Sequence, residues 1–190
     1  MDTQLSPDNA TLTTSWNMLA THSVTIRAMD IDDLDLETEF LEKLTLETRR
    51  NRFHGPAVRP SMAASPPRST LIDQLALAAS ITWDGHEEYL GVACYVSDAP
   101  GDAEFAMVIA DAWQGCGIGR RLLSHLQECA TRRGIQRLSG EVLADNRAML
   151  GLAHSLGFRL SAHPEDALLR LVTRECRMES LHAPRQFAVE

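Results

Sequence analysis

The chain has 190 residues, is 44% hydrophobic and carries a formal net charge of -8 at pH 7, which suits one domain with a substantial core rather than two. The negative charge argues against nucleic acid as the main ligand, because that binding depends on neutralising phosphates. No apolar run approaches the roughly 18 residues of a membrane span, and the N-terminal segment lacks the pattern of a signal peptide.

The first third of the chain predicts a tail, a strand, a helical segment and a loop. Residues 1–22 are expected to form a flexible tail. Over residues 23–29 apolar and polar side chains alternate, which predicts a strand. The acidic residues 30–47 contain leucines spaced for one amphipathic helix or two short ones. Residues 54–70 are rich in proline and small side chains and predict a long loop.

Three consecutive antiparallel strands are predicted in the middle of the chain. Two apolar runs, 75–83 and 87–98, are separated by a turn at Asp84, which predicts a β-hairpin. A second turn at residues 99–102 leads into another apolar run at 103–111. This third strand directly precedes a glycine-rich segment.

The last third of the chain predicts helices alternating with strands. Apolar positions recur at helical spacing from Ile118 until Gly134, which ends the helix. Residues 135–143 predict a strand, and Asp145 or Asn146 is the expected N-cap of the next helix. The remaining predicted elements are a helix ended by Gly157, a strand pair over 158–163 and 167–176, and a C-terminal tail over 176–190, so that the domain spans residues 23–175.

The cysteines show no pattern that would form a metal site. They lack a C-x-x-C pair and a nearby histidine at ligand spacing. We therefore expect reduced thiols, a cytoplasmic protein and no bound metal. The cysteines are Cys94, Cys116, Cys129 and Cys176.

The stretch AWQGCGIGRRLL, residues 112–123, brings three glycines together just before a predicted helix. It fits neither the dinucleotide pattern G-x-G-x-x-G nor the P-loop, because Arg120, Arg121 and Leu122 stand where those patterns need other residues. What remains is Q-x-x-G-x-G between a strand and a helix. A helix N-terminus with glycines offers unpaired amides to an anion such as a pyrophosphate, and the two arginines add charge at its rim.

At this point the chain resembles the GNAT superfamily of acyl-CoA-dependent N-acetyltransferases. The resemblance covers residues 24–173 and includes the order of the predicted elements. The residues that carry it are Gln114, Gly117, Gly119, Asn146, Gly157 and Phe158. It implies an α/β (α+β) fold with a mixed, mostly antiparallel central sheet of about six to seven strands, flanked by helices. It also implies a cleft where the strand at 103–111 splays from the next.

The resemblance implies acetyl-CoA as the cosubstrate. Its pantetheine arm would lie against free strand amides, and its pyrophosphate would lie in the glycine loop, residues 114–121. Asn146 would contact the pantetheine region, and a backbone amide near Val108 or Ile109 would stabilise the thioester oxygen. The residues expected to bind acetyl-CoA are Val108, Ile109, Ala110, Gln114, Gly115, Cys116, Gly117, Ile118, Gly119, Arg120, Arg121 and Asn146.

A narrower resemblance concerns the acceptor. The stretches TLETRRNRFHGP, AEFAMVIADAWQGCGIGRRLL and EVLADNRAMLGLAHSLGF are similar to the catalytic domain of bacterial protein-lysine acetyltransferases. This resemblance implies a protein lysine as the acceptor of the acetyl group. His54, before the long loop, is a further candidate to contact the acceptor.

A lysine ammonium has an ordinary pKa of about 10.4, so a general base is useful at neutral pH. Glu104 is the candidate, because it lies in the strand that should border the cleft and has apolar neighbours that would raise its pKa. The same resemblance implies a glutamate base in this strand. Strand alternation, in the absence of a bulge, places on one face Glu104, Ala106, Val108 and Ala110.

The general acid for the leaving thiolate is not identified. Many GNAT enzymes have a tyrosine four residues before the Gly-Phe pair, and Ala153 stands there in this chain. Since a thiol has a pKa of about 8.5, water suffices as the proton donor. His154 is expected on the surface, and Cys116 lacks the partners of a catalytic thiol.

Two alternatives to protein-lysine acetylation stay open at this point. An acidic protein with a long loop also suits a small cationic amine or polyamine as acceptor. The missing tyrosine at Ala153 is compatible with a non-catalytic module that senses acyl-CoA. The acyl-chain length and the oligomeric state, monomer or homodimer, are not determined by the sequence.

Overall fold

The computed structural model describes residues 12–19, 22–54 and 72–176. The predicted loop at 54–70 lies outside these ranges apart from His54, and so does the C-terminal tail beyond Cys176. The described residues form an open, mostly antiparallel sheet of eight strands flanked by four α-helices. This confirms the predicted fold class.

The elements are numbered in chain order. The strands are β1 (Thr14–Leu19), β2 (His22–Ala28), β3 (Asp73–Trp83), β4 (His86–Ala99), β5 (Asp102–Ile109), β6 (Arg137–Leu143), β7 (Arg159–Ala162) and β8 (Leu169–Glu175). The helices are α1 (Leu34–Glu42), α2 (Leu46–Phe53), α3 (Ile118–Arg132) and α4 (Arg147–Ser155). Short 3-10 turns occur at Ile31–Asp33 and Asp111–Trp113.

The strand order in the sheet is β1-β2-β3-β4-β5-β6-β8-β7. All neighbouring strands are antiparallel except β5 and β6. That parallel pair extends only from Asp102 opposite Arg137 to Glu104 opposite Ser139. Beyond Glu104 the two strands separate.

Helices cover both faces of the sheet. α3 and α4 pack on one face, where Ile118, Leu126 and Ala153 join the main core. α1 lies on the other face, where Phe40 and Leu41 form a second, smaller cluster with residues of β3, β4 and β5. Among the described residues, no helix is long and apolar enough to span a membrane.

The ends of the predicted helices follow from local chemistry. Asn146, rather than Asp145, caps α4, because its side-chain oxygen accepts a hydrogen bond from the Met149 amide at 3.1 Å. Gly134 and Gly157 follow α3 and α4 with φ of +84° and +83°, a conformation that glycine adopts without strain.

The N-terminal prediction is wrong in one part. Residues 14–19, assigned to a flexible tail, form β1 and pair with β2, so that Trp16 lies opposite Val24. Leu12, just before β1, is buried. β1 is an edge strand with one neighbour, and most of its described side chains are exposed, so its sequence lacks the alternation that reveals a half-buried strand. β1 also raises the strand count above the predicted six to seven, to eight.

Candidate active site

A cavity of about 380 Å³ opens where β5 separates from β6. Its walls come from β5, β6 and α2, and its end is formed by the glycine loop and the starts of α3 and α4. The predicted site residues that line it are Glu104, Val108, Ile109, Gln114, Gly115, Gly117, Gly119, Arg120 and Asn146.

Four residues predicted to bind acetyl-CoA do not line this cavity. Ile118 is fully buried in the main core, and Ala110 packs against the second cluster. The Arg121 guanidinium lies 4.8 Å from the centre of the Trp16 ring, so it is drawn toward β1. Cys116 is exposed, and its thiol donates to the Gln114 carbonyl at 3.6 Å. The side chains of these four residues are therefore not directed into the cavity.

The backbone of β5 presents different groups to its two neighbours. The Ala110 amide donates to the Leu90 carbonyl at 2.9 Å, in continuation of the regular β4–β5 register. In an antiparallel pair, alternate residues direct both backbone groups to the same neighbour. The groups of Val108 therefore face β4, and those of Ile109 face the cleft. Of the two predicted amide donors, the Ile109 amide is the one available to a thioester oxygen.

The glycine loop forms an open cradle at the N-terminus of α3. Gly115 and Gly117 have φ of +74° and +84°, and a Cβ on either would meet nothing within 4 Å. Gly117 is the N-cap of α3 and makes no side-chain cap, so the first helical amides stay available. A Cβ on Gly119 would lie 3.4 Å from side-chain atoms of Leu152 and Met107. Bare backbone and unpaired amides fit a pyrophosphate.

The cradle is anchored to α2 through polar side chains. The hydroxyls of Thr45 and Thr48 donate to Asp111 at 2.6 and 2.7 Å. Gln114 donates in turn to the Thr48 hydroxyl and to the Ile109 carbonyl, both at 3.1 Å. Partial burial would raise the pKa of Asp111, but the hydrogen bonds from the two threonines outweigh it and lower this pKa. The Gln114 side chain thus positions the loop rather than reaching freely toward a ligand.

Glu104 lies on the cavity wall with its side chain exposed. Its neighbours Ala103 and Phe105 belong to the main core on the opposite face of β5. The register with β4 is unbroken from Glu104 to Ile109, so no bulge disturbs the predicted alternation. The apolar neighbours in sequence therefore do not enclose the carboxylate, contrary to the expectation from sequence. Glu104 is instead accessible from the cleft.

The same wall carries a second carboxylate that the sequence did not single out. Glu141 of β6 lines the cavity together with His54. His163 lies 3.1 Å from one oxygen of Glu141, and the Nδ1 atom of His54 lies 4.0 Å from the other. These residues are distant along the chain and form no motif, so no sequence signal was available. His54, predicted as a contact for the acceptor, lies at this position.

No tyrosine of the chain lines this cavity. Ala153 is fully buried, which leaves no side chain there to protonate a leaving thiolate. The chain has two tyrosines, Tyr89 and Tyr95, and both are buried in the core. Burial raises the pKa of each above the ordinary value. His154 is exposed and is not part of the cavity lining, as expected.

Comparisons with known proteins agree with this geometry. The model of the acetyltransferase (GNAT) family matches residues 41–158. Acetyltransferase PA5475 from Pseudomonas aeruginosa is 32% identical over 154 residues, which is 76% of this chain and 79% of that protein.

Solved structures share the fold. The GNAT domain of S. lividans PAT has a TM-score of 0.73 and 24% identity, and the match covers 87% of this chain and 98% of that chain. The ribosomal-protein-S18-alanine N-acetyltransferase from Escherichia coli has a TM-score of 0.57 and 20% identity, over 87% of this chain and 99% of that chain.

Proposed function

Because the chain belongs to the GNAT family of acetyltransferases, we propose that its acceptor is the side-chain amine of a protein lysine. The chain is an acyl-CoA-dependent N-acetyltransferase, and acetyl-CoA, its cosubstrate, supplies the activated acetyl group. The observation that carries the acceptor proposal is the exposure of Glu104 on the cavity wall. A lysine on the surface of another protein can reach a carboxylate in that position.

In the proposed mechanism, Glu104 takes the proton of the incoming ammonium. The freed amine attacks the thioester carbonyl, so that a C–N bond forms and the C–S bond breaks. The Ile109 amide faces the cleft and stabilises the negative charge that develops on the carbonyl oxygen. The amides at the start of α3 hold the pyrophosphate, and Asn146 contacts the pantetheine arm. The attacking nitrogen then loses its second proton to water, and the thiolate that leaves takes a proton from water, so that the products are the neutral amide and the free CoA thiol.

A small cationic amine is the second candidate acceptor. The net charge of -8 favours it, because an acidic protein attracts cations of any size. Glu104 would act as the base in either case. A non-catalytic sensing module is not supported, since the family and the P. aeruginosa relative are acetyltransferases.

The experiment measures the release of free CoA thiol from acetyl-CoA with a panel of lysine peptides and a panel of small amines. Glu104→Gln keeps the shape of the side chain and removes the base. We expect this variant to bind acetyl-CoA as the wild type does and to lose about a hundredfold to a thousandfold in kcat. The panel that the wild type acetylates faster identifies the acceptor class.

Glu128→Gln is the matched control, because Glu128 lies on the exposed surface of α3 and outside the cavity lining. Glu128→Gln changes the net charge by the same amount as Glu104→Gln and should keep full activity. Efficient turnover by Glu104→Gln would contradict the assignment of the base. A wild type that prefers small amines over every lysine peptide would replace the proposed acceptor by the second candidate.

A further inference from the structure

Glu141 lies on the same face of the sheet as Glu104. Its strand neighbour Val142 and the earlier Leu138 belong to the main core, so Ser139 and Glu141 face the opposite side. Glu104 pairs with Ser139 across the β5–β6 contact. Glu141 is therefore two residues, or about 7 Å, further along this face, where it lines the cavity.

His163 orients Glu141 without neutralising it. The Nδ1 atom of His163 accepts hydrogen bonds from the backbone amides of Glu165 and Asp166, at 3.2 and 3.0 Å. The ring proton is thus on Nε2, which donates to Glu141 at 3.1 Å. A histidine whose Nδ1 is an acceptor is neutral. Glu141 is therefore held in a defined position by a donor that carries no charge.

No lysine or arginine among the described residues forms an ion pair with Glu141. Among the ion pairs of the described residues, its partners are His163 and His54, and the contact with His54 at 4.0 Å is too long for a hydrogen bond. Other carboxylates of this chain are paired differently. Glu87 binds Arg27 at 2.9 Å, and Glu88 binds Lys43 at 3.2 Å. The charge of Glu141 is left for something that enters the cavity.

We propose that Glu141 is a specificity-determining residue, which binds a second positive charge of the acceptor while the reacting amine meets Glu104. This inference rests on the proposed function and narrows its acceptor class. Because the two carboxylates line the same cavity at different positions along one face, an acceptor with two separate cations can contact both. A lysine with a basic neighbour in a protein segment has this chemistry, and so does a diamine.

The test is calorimetric binding of acceptors to the complex of the enzyme with CoA, which cannot react. One pair of probes is a lysine peptide with a flanking arginine and the same peptide with alanine in place of that arginine. The other pair is putrescine and butylamine. We expect the wild type to bind the dication of a pair about tenfold more tightly than its monocation. The pair that shows this preference identifies the source of the second charge.

Glu141→Gln should abolish the preference, and Glu128→Gln, which removes an exposed charge elsewhere, should keep it. Added salt should weaken the preference of the wild type more than that of Glu141→Gln, because in the wild type salt screens the contact with Glu141 in addition to the general attraction of the acidic protein. A merely structural Glu141 would change the melting temperature and not this salt dependence.

An unchanged preference in Glu141→Gln, or no preference in the wild type, would overturn the inference. Acetyl transfer is measured separately on the same samples. A wild type that binds dications through Glu141 and acetylates none of them would refute the proposed function and leave only the binding of the second charge by Glu141.

Discussion

The two edges of β5 meet very different neighbours. On one edge β4 pairs with it continuously from Glu104 to Ile109. On the other edge β6 pairs with it only up to Glu104. The first edge satisfies its backbone groups within the fold. On the second edge Gln114 satisfies the Ile109 carbonyl, and the Ile109 amide is left to a ligand or to water. A single strand thus supplies both the centre of the sheet and the wall of the active site.

Close packing marks the point where the second edge stops pairing. The rings of Phe105 and Phe158 lie 5.0 Å apart, and Gly140 of β6 passes directly over Phe105. A Cβ on Gly140 would lie 2.9 Å from the Phe105 ring and 3.0 Å from its carbonyl oxygen. Glycine therefore allows β6 to approach β5 here, one residue beyond the last pair of the β5–β6 contact.

The largest expected effect on stability comes from the fully paired half of the sheet, where Arg27 binds Asp33 and Glu87 at 2.8 and 2.9 Å. Arg27→Met leaves two carboxylates next to each other without their cation. We expect a loss of about 3 kcal/mol in the free energy of unfolding at neutral pH, measured by urea denaturation. Acetyl-CoA binding at the open edge should be retained.

The pH dependence of this effect has a defined sign. Burial raises the pKa of Asp33, but the hydrogen bonds from Arg27 and the backbone outweigh it and lower this pKa. The hydrogen bond from Arg27 likewise lowers the pKa of Glu87. Their contribution is therefore complete above the ordinary carboxyl pKa of about 4 and is lost as the pH falls through the lowered values. A difference between wild type and variant that does not shrink as the pH falls below about 4 would contradict this sign.

A smaller effect on stability is expected where β5 and β6 separate. Gly140→Ala forces β6 away from Phe105 and should cost about 2 kcal/mol of stability. Gly151→Ala is the matched control, because a Cβ at Gly151 in α4 would meet nothing within 4 Å and alanine favours a helix. Thermal unfolding of the two variants separates these effects. Equal melting temperatures would show that the approach of β6 to β5 does not require glycine.

Much of the fold was predictable because local patterns agree with it. The glycines after α3 and α4 and the turn at Asp84 all mark boundaries that the structure confirms. β1 was missed, since an exposed edge strand has little reason to alternate. The sequence predicted either one long helix or two short ones for residues 30–47. The structure has two, α1 and α2, because the Thr45 side chain caps the N-terminus of α2.

The parts of the site that are formed by the backbone of one contiguous segment could be predicted from the sequence. The side-chain contacts between residues far apart along the chain could not. The glycine loop and Glu104 could be identified from a contiguous motif and a strand position. The role of Gln114 depends on Thr48 of α2, and the direction of Arg121 depends on Trp16 in a segment predicted as a tail. The orientation of Glu141 by His163 likewise requires the folded sheet. No local pattern contains such contacts.

In the proposed mechanism the open edge of β5 holds acetyl-CoA. Amide hydrogen exchange, followed residue by residue by NMR with and without acetyl-CoA, tests this placement. We expect acetyl-CoA to slow exchange of the Ile109 amide, which faces the cleft, and to leave exchange of the Val108 and Ala110 amides, directed toward β4, unchanged. An Ile109 amide that exchanges equally fast with and without saturating acetyl-CoA would contradict this placement.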